Sequence, residues 1–90
     1  MELLTKSGTY TPYEPDCESL AYLEVYRLSE DEMREIEEQI MPNDAIMEFL
    51  GFENPRYLVE PGAWYLERSF VAYNDVSGVL VIEVIKSLNV

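Results

Sequence analysis

Val79-Leu-Val-Ile-Glu-Val-Ile-Lys-Ser-Leu88 is the stretch on which the fold turns. Its β-branched residues lose χ1 freedom in a helix and pack well on a pleated surface, so it reads as a strand. Just before it, Asn74-Asp-Val-Ser-Gly78 has the composition and closing glycine of a hairpin loop. Ala63 to Tyr73 precedes the loop and reads as a long strand. Strict alternation puts Trp64, Leu66, Arg68, Phe70 and Ala72 on one face. Tyr65, Glu67, Ser69, Val71 and Tyr73 fall on the other. A shorter strand, Tyr57-Leu-Val-Glu60, is broken by Pro61-Gly62.

Working further back, Ser19 to Leu28 is another strand, with Leu20, Tyr22, Glu24, Tyr26 and Leu28 on one side. Ala21, Leu23, Val25 and Arg27 lie on the other. Both sides are largely apolar, which suits an interior strand. Ser29-Glu-Asp-Glu32 then has the spacing of a capping box, so a helix starts there, with Met33, Ile36 and Ile40 as its buried stripe and Pro42 ending the segment. Asn43 or Asp44 caps a second helix, Ala45 to Leu50, with Ile46, Phe49 and Leu50 toward the core and Gly51 as its stop. Phe52 to Arg56 is a connecting loop. Residues 1–18 carry Ser7-Gly8 and Thr11-Pro-Tyr-Glu-Pro-Asp16, which oppose helix, so they form an extended arm or a short edge strand followed by a loop. Pro12 and Pro15 stand at PxxP spacing without a closely flanking basic residue, and Tyr10 and Tyr13 are expected to cover the sheet.

The resulting order is arm, β, α, α, β, β, β. It predicts an α+β domain over residues 19–90, an antiparallel sheet of about four strands with two helices on one face, following an N-terminal arm over 1–18. The other sheet face is too apolar to be wholly wet, since Tyr65, Val71 and Tyr73 join Val79, Val81 and Ile85 there. Either the arm or another chain covers it, which makes Tyr65, Val71, Tyr73 and Ile85 a candidate homodimer face.

The chain has 90 residues, eighteen carboxylates against six lysines and arginines, and a formal net charge of −12. Phosphate contacts require clustered cations, so direct nucleic-acid binding and anionic membrane surfaces are disfavoured, and a basic protein partner is favoured. No apolar run approaches the roughly 20 residues of a membrane helix, and no secretory signal is legible, so a cytoplasmic protein is expected. Histidine is absent and Cys17 is the only thiol, which removes the usual general base, the commonest zinc ligand and any intramolecular disulfide. Asp16 and Glu18 flank Cys17 and disfavour its thiolate. The four glycines are isolated, so no phosphate cradle exists. Glu14, Asp16 and Glu18 are oxygen ligands without calcium-loop spacing. Glu24, Glu67 and Glu83 lie mid-strand, where a close carboxylate pair would serve acid–base chemistry; cross-strand pairing with Arg27 or Arg68 is the simpler expectation. No cofactor, metal site or enzymatic activity is expected.

What stands out is the first helix. Glu30, Asp31, Glu32, Glu35, Glu37 and Glu38 oppose Arg34 alone. Nine residues rise ~13.5 Å, so net charge runs at about one per 2.7 Å. Duplex DNA carries about one per 1.7 Å. Asp31 and Glu35 are like charges at i, i+4, a small cost that local helix stability does not explain. Glu30, Asp31, Glu35 and Glu38 fall opposite the apolar stripe, as a solvated face or as a phosphate-like row for a basic groove. The expected function is therefore a non-catalytic inhibitor or nucleic-acid mimic docking on a nucleic-acid-binding protein, with Glu30, Asp31, Glu35 and Glu38 for charge and Tyr10 and Tyr13 as anchors. In composition alone the chain resembles the small acidic proteins with which phages block bacterial defence nucleases, which would place it in a host cytoplasm. The alternative is a homodimer or assembly subunit working through the apolar sheet face.

Overall fold

Alternation along the last strand locates the core. In the computed structural model, which describes residues 1–11, 19–52 and 64–88, Leu80, Ile82 and Val84 are completely buried at 0% exposure. Val81, Glu83 and Ile85 between them point to the opposite side and are half-buried. The elements in chain order are β1 (Glu2–Lys6), β2 (Ser19–Arg27), α1 (Glu30–Glu38), α2 (Asn43–Phe49), β3 (Trp64–Tyr73) and β4 (Val79–Leu88). The four strands form one antiparallel sheet in the order β1-β2-β4-β3. Leu28, Ile36, Ile46 and Met47 complete the core from the end of β2 and from both helices. The mixed α+β class and its broad element order are those the sequence predicts, and β2 is an interior strand.

Of the two readings of the first residues, Glu2–Lys6 takes that of an edge strand, paired with β2 from Glu2↔Arg27 to Lys6↔Glu24. Tyr10 continues the pairing as a bridge to Ala21. The strand expected at 57–60 lies outside the described residues, as do Pro12, Tyr13, Pro15 and Cys17.

Three expectations are corrected, each by a local backbone event. The register of β3 on β4 steps from Phe70↔Ile82 to Ala72↔Val81, so Val71 is an extra residue. One inserted residue reverses the alternation beyond it. Tyr73 therefore pairs with Leu80 and packs against the core on the helix side. It does not share a face with Ile85.

The second correction concerns Ile40. α1 ends at Glu38, with Gln39 as its C-cap. The Ile40 N–H donates to the Glu37 carbonyl at 3.2 Å and the Met41 N–H to the Ile36 carbonyl at 3.1 Å. That pattern is a Schellman closure, which requires the residue after the cap to be left-handed. Ile40 occupies that place at φ 49 and is 85% exposed, so it leaves the apolar stripe.

The third is the phase of α2, which starts two residues earlier than expected. Ile46, Met47 and Leu50 form its inward stripe, and Phe49 falls about 100° off that stripe on a helical wheel and stays exposed. Its end repeats the Schellman closure, this time with Gly51 at φ 85 in the left-handed place.

The β3–β4 hairpin lies beside α1, and the Leu28 N–H ties it to the end of β2 by donating to the Gly78 carbonyl at 2.9 Å. Asn74 Oδ1 accepts from the N–H groups of Val76 and Ser77, both at 2.9 Å. Gly78 has φ 74, and a Cβ there would lie 2.7 Å from Met33 Sδ. The positive φ favours glycine there, and a larger residue would also have to displace the Met33 side chain.

Candidate functional site

The capping box sets the geometry of the acidic helix. The Ser29 hydroxyl accepts from the Glu32 N–H at 3.2 Å, and the Ser29 N–H donates to Glu32 Oε1 at 2.8 Å. The Met1 ammonium sits 3.0 Å from the same carboxylate oxygen. Burial pushes the Glu32 carboxyl up, but these donors outweigh it and hold the group below its ordinary value. Glu32 is thus committed to closing the helix end.

The four residues picked out by the sequence divide. Glu30 and Glu38 are exposed. Asp31 is also exposed and meets Arg34 Nη1 at 3.2 Å, a solvated pair of small energetic weight. Glu35 is drawn in to half-burial, accepting from the Gln39 side-chain amide. Glu37 joins the exposed set. Among the described residues, Glu30, Glu37 and Glu38 enter no ion pair.

Tyr10 lies against the outer sheet face, where its hydroxyl donates to Glu83 Oε2. This bond, then burial and the carboxylate charge, push the phenol up to about 12. Its hydroxyl is engaged within the chain, and Tyr13, the other expected anchor, lies outside the described residues. On the same outer face Ile85 and Val81 are half-buried and Val71 is 50% exposed. Tyr65 pairs in register with Ser87.

The mid-strand glutamates divide: Glu67, paired with Ile85, shares the outer face with Glu83, and Glu24 stands apart from both. Glu24 lies opposite Ile82 on the helix side, and Glu83 is on the outer face. Glu24 is buried, with Oε2 3.7 Å from Lys6 Nζ and Oε1 without a hydrogen-bond partner among the described residues. Lys6 Nζ in turn stands 5.7 Å from the Tyr22 ring centroid, within cation–π range. Burial and the Glu24 charge raise the Tyr26 phenol, against a smaller lowering by Arg68. No group of three or more metal-capable side chains occurs among the described residues. Glu14, Asp16, Cys17 and Glu18 lie outside them.

Between the helices and the hairpin runs an open groove of about 580 Å³. Buried Ile36 and Ile46 and half-buried Met33, Met41, Phe70 and Tyr73 line its inner part. Exposed Glu37, Ile40, Asp75 and Val76 stand at its mouth. Burial, then Asp75, then Glu37 raise the Tyr73 phenol, so both carboxylates reach its hydroxyl electrostatically. Sequence reading missed this groove because the bulge at Val71 brings Tyr73 to it. The legible hint was an apolar residue, Val76, at the tip of a polar turn.

No helix among the described residues is long and apolar enough to cross a membrane. Comparison with family models, curated proteins and solved structures finds no match for the chain.

Proposed function

We propose that the protein is a small, non-catalytic binding protein that docks the acidic face of α1 on a basic protein surface. The surface in view is one that otherwise holds nucleic acid, so docking would inhibit its owner. The observation that carries this reading is the row of exposed Glu30, Glu37 and Glu38, unneutralised among the described residues. A compact helix with such a row raises the local concentration of a cationic partner and orients it on approach. A cytoplasmic setting accords with a partner of that kind.

Capture from lysate at low salt, with elution by a salt step, tests the reading. The bound partner should be displaced by duplex DNA, and its affinity should fall steeply with ionic strength. A partner indifferent to both salt and DNA would overturn the proposal.

A second reading is a homodimer through the outer sheet face. It is favoured by half-buried Leu23, Val25, Val81 and Ile85 and by exposed Val71 on a face that no helix covers among the described residues. Tyr73 plays no part in it, because it faces the helices.

A further inference from the structure

The groove beside α1 shares Glu37 with the acidic row but is lined by neither Glu30 nor Glu38, and its chemistry is mixed. Its volume, about 580 Å³, lies within the roughly 300–1,000 Å³ of ligand clefts. Its inner part is thioether, aliphatic and aromatic, while its mouth carries Glu37 and Asp75, and among the described residues none that lines it is basic. An anion entering there meets two carboxylates. A purely apolar group would fill the floor but strip water from those carboxylates without replacing it, which is costly. A small hydrated cation would leave Met33, Met41 and Phe70 wet. The one common group that suits both halves is a long aliphatic stem ending in a cation, the arrangement by which lysine and arginine cover apolar surface while keeping a charged head polar.

We propose that this groove receives a lysine or arginine side chain of a partner chain, its methylenes on Met33, Met41 and Phe70 and its cation between Glu37 and Asp75. The proposal rests on the partner being basic, as in the docking reading, but of the acidic row it uses Glu37 alone and neither Glu30 nor Glu38. Ile40 and Val76, 85% and 88% exposed, flank the mouth and close on the partner's backbone at either side. The Tyr73 hydroxyl, near enough to both carboxylates to feel their charge, adds a polar atom to the groove lining.

The test is a titration of the isotope-labelled full chain with capped pentapeptides that differ only at the central residue: lysine, arginine or norleucine. Millimolar lysine and arginine peptides should shift the amide signals of Ile40, Tyr73, Asp75 and Val76. The norleucine peptide should bind about tenfold more weakly, the expected effect of losing a charge-assisted contact. Glu37→Gln combined with Asp75→Asn should bring the lysine peptide down to the norleucine level, and Glu30→Gln with Glu38→Gln should change its affinity less than twofold. Circular dichroism confirms that each variant is folded; all four positions are exposed. Equal affinity for lysine and norleucine, shifts confined to the outward face of α1, or no shifts would each overturn the proposal. Groove signals that move with protein concentration alone would assign the site to a second copy and overturn it too. Loss of peptide binding with retention of salt-sensitive partner capture would remove this inference and leave the docking reading standing.

Discussion

At the scale of single residues, Ile40 is in conflict with its backbone. A β-branched residue in the left-handed region costs roughly 1–2 kcal/mol, and the equivalent place after α2 is filled by Gly51 at φ 85. Ile40→Gly should therefore stabilise the fold by about 1 kcal/mol, partly offset by the looser unfolded chain, as read from urea denaturation. A loss of stability would show that Ile40 packs in solution. Because Ile40 stands at the groove mouth, the same substitution should weaken the lysine peptide. Tyr10 gives a pH signature. Its phenol rises from 10.0 to about 12 on folding, so the folded state holds the proton more tightly. The stabilisation is complete below pH 10 and disappears as pH climbs through about 12. Tyr10→Phe should flatten stability over that window, and an unchanged alkaline slope would mean that the Glu83 contact does not form.

At the scale of elements, β2, the start of α1, the hairpin loop and β4 were readable because each carries a local cause. Ser29 and Glu32 dictate the helix start by reciprocal hydrogen bonds, and the β-branched run of β4 dictates a strand. The stop of α2 was legible in Gly51, but the end of α1 and strand phase were not readable in this way. The end of α1 depends on a left-handed isoleucine that no propensity favours. The facing of Tyr73 depends on a single extra residue at Val71, which strict alternation cannot anticipate. The same limit applies to the candidate site. The carboxylates of α1 were visible as a cluster, but Glu35 turning to Gln39 and Glu32 to the capping box are side-chain choices made after the backbone is set. The groove was invisible because its helical wall, residues 33–46, meets the hairpin residues 70–76 only through the fold.

At the scale of the whole molecule, charge and apolar surface compete to define the working face. If the outer sheet face governs assembly, sedimentation at micromolar concentration should show a salt-insensitive dimer that Ile85→Lys converts to monomer. A monomer at all concentrations would dismiss that reading. The docking account makes the opposite demand: the position of the charges, more than their number, must decide binding. Two double variants separate these, because both change net charge equally. Glu30→Lys with Glu38→Lys reverses the α1 row, while Glu48→Lys with Glu67→Lys reverses exposed carboxylates on α2 and β3. The decisive measurement is the affinity of each for the captured basic partner at one low salt concentration. The account predicts a loss of at least about tenfold for the α1 pair, some 1.4 kcal/mol, and a change of under about threefold for the other. Equal losses in the two would mean that the partner responds only to overall charge, and the acidic helix would have no special role.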